Sequence, residues 1–140
     1  MKKMSLLAAI MLFTTSWFTC SAQEEKAEDN TKVAPSDKVE VYYFHNTRRC
    51  ATCQAVEAVT KQTLEETYPE QIKNGTMTFQ SLNVEEKSNE PLARELHVSG
   101  QTLLIVKDGK KKDLTNDAFM YARSNPDKLK EKIVNTITKL

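Results

Sequence analysis

An α/β domain built on a mixed four-stranded sheet is the fold class this sequence predicts, and three observations carry that prediction. Runs of β-forming residues alternate with helical periodicity from residue 38 to residue 140. The first strand, helix and second strand make a β-α-β unit, which must be parallel with a right-handed crossover. Asp108-Gly109 then separates two strand-like runs and signals a hairpin, so the last two strands are antiparallel. The predicted order is β-α-β-α-β-β-α, with helices on both faces of the sheet.

Lys38 to His45, dense in Val, Tyr and Phe, is the first strand. It is apolar on both faces, which places it inside the sheet. The loop Asn46-Thr47-Arg48-Arg49 follows, and a helix begins near Cys50. Its buried stripe is Cys53, Val56, Val59 or Thr60, and Leu64, with Glu57, Lys61, Glu65 and Glu66 mainly exposed. Pro69 ends this helix and Lys73-Asn74-Gly75 makes a turn. Met77 to Val84 is the second strand. A short helix runs through Pro91, Leu92, Ala93 and Leu96, with Pro91 in its first turn. Thr102 to Lys107 is the third strand, and Lys110 to Leu114 returns as a fourth, charged edge strand. Asn116 to Arg123 is a short helical segment. Asn125-Pro126 opens the last helix, with Leu129, Ile133, Val134, Ile137 and Leu140 as its stripe.

The first 37 positions stand apart. Met1-Lys2-Lys3 is basic, Leu6 to Phe13 is an unbroken run of eight apolar residues, and Cys20-Ser21-Ala22 supplies small side chains before Gln23. This is the layout of a secretory signal peptide over residues 1–22, too short in its apolar part to span a bilayer. Cys20 admits a second reading, as the lipid-accepting cysteine of a bacterial lipoprotein, although Trp17-Phe18-Thr19 is not the usual preceding sequence. Either way a secreted or periplasmic protein is expected, where disulfides persist. Residues 23–37 are almost devoid of apolar side chains and read as a flexible linker to the domain at 38–140. Removing residues 1–22 takes away Lys2 and Lys3 and no acid, leaving 18 Lys+Arg against 19 Asp+Glu. That balance gives no support to nucleic-acid binding by bulk charge.

Cys50-Ala51-Thr52-Cys53 stands where the first strand gives way to the helix. A cysteine at a helix start lies in the positive end of the peptide dipoles, which favours thiolate over thiol. The second cysteine, one turn further in, reaches the first sulfur and closes a disulfide. Thiol–disulfide exchange is the chemistry this pattern supports. Arg48 and Arg49 add positive charge beside Cys50, which is expected to titrate below the ~8.5 of a free thiol. The plainer reading of both arginines is solvated loop residues, and that of the cysteines an inert core pair. His45, at the strand end, could assist proton transfer to the thiols. A metal site for zinc or copper is the competing class. His45 and His97 lack ligand spacing with the cysteines, however, and no metal ligands are assigned.

The strand Val39–Phe44, the cysteine motif opening a helix, and the Leu103–Lys107 strand with its Asp108-Gly109 hairpin resemble the thioredoxin-like superfamily. Small secreted thioredoxin-like proteins carrying a segment like His45-Asn46-Thr47-Arg48-Arg49-Cys50-Ala51-Thr52-Cys53 are the nearest likeness. The resemblance implies that Cys50 is the attacking thiolate and that Cys53 resolves the mixed disulfide. It also implies that the loop before the third strand, at Gln101 and Thr102, faces the disulfide. This chain departs from the pattern in three places. Arg49 precedes the first cysteine and Ala51-Thr52 intervene where thioredoxin has Trp and Gly-Pro. No acid lies between Val41 and Cys50. Val98-Ser99-Gly100-Gln101-Thr102 has no proline where a cis-proline is usual. These departures point to a narrower substrate range or a degraded activity.

The expected function is that of a thiol–disulfide oxidoreductase acting on extracytoplasmic protein or small-molecule thiols. The alternatives are a redox-inert binding module of the same fold and a copper- or zinc-binding protein. With positive charge beside Cys50, the couple is expected to be more oxidising than the about −270 mV of thioredoxin. No organic cofactor is required. The expected partners are a protein dithiol or disulfide substrate and a membrane or extracytoplasmic redox protein, with the chain itself a monomer.

Overall fold

β-Branched and aromatic residues set the four strands, which the computed structural model, describing residues 38–140, places at β1 (Val39–His45), β2 (Met77–Asn83), β3 (Thr102–Lys107) and β4 (Lys110–Asp113). The leader, Cys20 and the linker lie outside the described residues. The helices are α1 (Ala51–Thr67), α2 (Pro69–Lys73), α3 (Glu90–Leu96), α4 (Thr115–Tyr121) and α5 (Pro126–Lys139). The strands lie in the order β2-β1-β3-β4, with β1 parallel to β2 and antiparallel to β3, and β3 antiparallel to β4. The expected mixed sheet is therefore present, and β1 is an inner strand as its double-sided apolarity requires.

Period-two alternation divides the core into two layers. From β1, Val39, Val41 and Tyr43 point to one face, where they meet Leu103 and Ile105 of β3 and the stripes of α1 and α5. Tyr42, Phe44 and Leu104 point to the other face and pack against Ala93 and Leu96 of α3. Helices thus cover both faces. β4 is exposed throughout, a charged edge that discourages strand addition. Asp108 and Gly109 both take positive φ, +50° and +75°, as a two-residue hairpin with the right-handed twist of its strands demands.

Pro69 does more than stop α1. Tyr68 closes α1 by donating its N–H to Leu64 O at 2.8 Å, and its own carbonyl accepts from Ile72 N at 3.1 Å. Pro69 then fits the first position of α2, where no N–H is needed, so a terminator and an initiator coincide. α4 starts one residue before the predicted segment. Asp113 Oδ1 accepts from Thr115 N at 2.7 Å and from its hydroxyl at 2.5 Å, which turns the chain from β4 directly into the helix. α5 follows its predicted cap, since Asn125 Oδ1 accepts from Lys128 N at 3.2 Å. Leu129, Ile133 and Ile137 are buried, while Val134 and Leu140 are half-buried at the stripe's margins.

Candidate functional site

The residue before α1 is Cys50, and it caps the helix with its sulfur. Its backbone is extended, and Sγ accepts from Cys53 N at 3.2 Å while its carbonyl accepts from Gln54 N at 3.1 Å. The first turn of α1 carries no acid to oppose the dipole end. Cys50 and Cys53 are joined in a disulfide, with their Cα atoms 5.1 Å apart. The two sulfurs differ sharply in access, because Cys50 is exposed and Cys53 is only 1% exposed. A cysteine pair thus sits at the tip of the helix that follows the inner strand of a 2-1-3-4 sheet. The fold is thioredoxin-like.

Comparison with known proteins finds no matching family model and no matching curated protein. Among solved structures, the chain is similar to oxidized thioredoxin O2 of Arabidopsis thaliana at 26% identity and a TM-score of 0.42, over 54% of this chain and 60% of that one. It is similar to a thioredoxin of Fasciola hepatica at 22% identity and a TM-score of 0.45, over 71% and 82% of the two chains. A thioredoxin of Trypanosoma brucei brucei aligns at 19% identity and a TM-score of 0.44, over 74% of this chain and 79% of that one.

Around this disulfide the predicted site residues differ in what they reach. Gln101 comes from the segment ahead of β3 and lays Oε1 3.6 Å from Cys53 Sγ. In the dithiol state that contact lets the Cys53 thiol donate to the amide oxygen. Thr102 begins β3, is paired with Phe44 across the sheet, and turns its hydroxyl to Gly100 O at 3.2 Å rather than to the sulfurs. His45 ends β1 and its Nδ1 lies 3.0 Å from Asn46 O. His97, the other histidine, caps α3 in a left-handed conformation with φ +59°. Among the described residues no three of His, Cys, Asp and Glu gather as a metal site would need.

The two arginines part company. Arg48 is exposed and makes no ion pair with a described residue. Arg49 is half-buried, donates from Nη2 to Glu57 Oε2 in an ion pair, and lies over the Tyr43 ring with its guanidinium carbon 5.8 Å from the centroid. Arg49 is therefore not a solvated loop residue, and Glu57 is not merely a member of an exposed helix face. Sequence reasoning missed this pairing. The available signal was that Glu57 is one turn beyond Cys53, with no other acid in the first two turns of α1.

Burial pushes the Glu57 carboxyl up, but the hydrogen bond from Arg49 outweighs it together with the Ser81 hydroxyl and the charges of Arg49 and His45, so the group is held below the usual carboxylate range. Ser81 Oγ faces Glu57 from β2 without a hydrogen bond of normal geometry. Burial also raises the Tyr43 phenol, against the pull of Arg49, whose guanidinium makes no well-formed hydrogen bond to that oxygen. A carboxyl depressed in the folded state stabilises the protein above its unfolded value of 4.5, and that contribution is lost as pH falls through the folded value. Glu57→Gln should therefore destabilise the domain at neutral pH. The gap between variant and wild type should close well below pH 4.5, as read by urea unfolding. A gap independent of pH would disprove the linkage.

The loop that carries the arginines is tied down on its other side. Asn83 Nδ2 donates to Thr47 Oγ1 at 2.8 Å, Thr47 N donates to Glu85 Oε2 at 3.1 Å, and Val84 N donates to His45 O at 2.8 Å. These bonds join the loop after β1 to the chain leaving β2, so Cys50 is presented from a braced segment.

Proposed function

We propose that this protein exchanges disulfides with extracytoplasmic protein or small-molecule thiols through Cys50 and Cys53. The observation that carries the reading is the unequal access of the two sulfurs, one capping a helix at the surface and one buried beneath it. In the oxidative direction a substrate thiolate attacks Cys50 Sγ. The Cys50–Cys53 bond breaks, and its electron pair leaves on Cys53, which takes up a proton. A second substrate thiolate then attacks the substrate sulfur of the mixed disulfide and releases Cys50 as thiolate. The substrate loses two electrons and the protein gains them. The reductive direction is the reverse, with Cys50 attacking a substrate disulfide and Cys53 displacing it. The helix end and the Cys53 N–H favour Cys50 as the thiolate at each stage.

The extracytoplasmic setting is supported by the basic start, apolar run and small residues over positions 1–22, with Cys20 either removed or lipidated. A membrane or extracytoplasmic redox protein would recycle the pair, and the domain at 38–140 would act as a monomer. The test is alkylation of the reduced protein at neutral pH, followed by peptide mass analysis and an insulin-reduction or dithiol-oxidation assay. Rapid labelling of Cys50, slow labelling of Cys53 and turnover in either direction are expected. If neither thiol is labelled in the folded protein, the exchange reading falls and a redox-inert binding module is left.

A further inference from the structure

We propose that Glu57 is a positioning residue for the thiol chemistry, one that cancels the charge of Arg49 beside Cys50 and so holds the pair less oxidising than its two arginines would otherwise make it. The inference deepens the exchange reading and rests on it for its purpose.

Arg49 immediately precedes the capping cysteine, and its side chain turns back along the first two turns of α1 to reach Glu57. Tyr43 supports the guanidinium from β1, and Arg49 Nε is buried without a hydrogen-bond partner among the described side chains. A cation in that place would favour a thiolate at Cys50 through space, adding to the helix end. Glu57 opposes it from within the same half-buried patch, and the carboxylate stays ionised because Arg49 holds it so. The groups facing Glu57 are Arg49 from the loop, Tyr43 and His45 from β1, and Ser81 from β2. Arg48 has no ion-pair partner among the described residues.

The sign of each substitution follows. Glu57→Gln keeps an oxygen for the Arg49 hydrogen bond but removes the negative charge, so the Cys50 thiol should become more acidic, by about threefold to tenfold in its dissociation constant. Arg49→Gln leaves Glu57 as an uncompensated anion, so the same thiol should become less acidic by a similar factor. The double variant should return close to wild type, and Arg49→Lys, which keeps the charge, should stay near it. At a pH below the thiol's titration range, where both cysteines are protonated, the potential should not move. Once Cys50 is ionised, it should rise in Glu57→Gln by about 30 mV for each tenfold gain in acidity.

The experiment is a thiolate absorbance titration of the reduced full chain and these variants, each checked for folding by circular dichroism, with a glutathione redox titration alongside. Opposite shifts in the two single variants, cancelled in the double, support the proposal. Shifts of the same sign, or none, in folded variants overturn it, because a pair that served only stability would move unfolding and leave the thiol unchanged. The absorbance titration needs no partner and no turnover. Opposite shifts without exchange activity would reject the exchange reading and keep the electrostatic role.

Discussion

Cys50→Ser is expected to bring exchange turnover to background, a loss of roughly a thousandfold or more, since among the described residues Cys50 is the only exposed cysteine. Serine retains the helix cap, because its oxygen can accept from Cys53 N as the sulfur does, so folding should be preserved. Cys53→Ser should behave differently. The exposed thiol would still attack, but nothing would displace it, and the protein should accumulate as a covalent adduct with its substrate. Nonreducing electrophoresis reads both outcomes in one gel. Wild-type turnover in Cys50→Ser, or adducts formed through Cys53 in that variant, would reverse the assignment of the two sulfurs.

Phe44→Ala is expected to cost about 3–5 kcal/mol of folding free energy. Phe44 is completely buried and belongs to the smaller of the two cores, where only Tyr42, Leu104, Ala93 and Leu96 are buried with it. Its ring lies 6.1 Å from that of Tyr42 and anchors α3 to the sheet. The alanine variant leaves a cavity that this thin layer cannot close by relaxation, and a domain of this size has about 5–15 kcal/mol in total. At roughly 4–8 °C per kcal/mol, the midpoint should fall by well over 10 °C in a thermal melt. Residue 44 also sits one position before His45 and the braced loop, so alkylation of Cys50 should become less selective as α3 loosens. A loss below about 1 kcal/mol would mean that α3 is not held through this residue.

Most of the architecture was legible because each element carries its own signal. β1 is apolar on both faces and proved to be an inner strand, while β4 is a run of charges and proved to be an edge. Asp108-Gly109 made its hairpin and Asn125-Pro126 opened its helix for reasons internal to four or five residues. α2 was not legible, since a proline that ends one helix looks the same as one that starts the next until Tyr68 is seen serving both. The cysteine pair was legible from spacing and position alone. Its surroundings were not. Arg49 and Glu57 are eight residues apart, beyond the three- or four-residue reach of a helical side-chain pair, and they meet because the Arg49 side chain reaches along the first turns of α1. The 48-residue separation of Cys53 and Gln101 carries no local hint that the two touch, and only the likeness to a known fold placed that loop near the disulfide.

With one sulfur walled in and its mate at the surface, the pair has a single doorway for electrons. Donor and acceptor would have to call at the same spot in turn, never together, so each would compete with the other for the patch around Cys50. Double-reciprocal plots against the two partners should then run parallel, and an excess of either partner should slow the cycle.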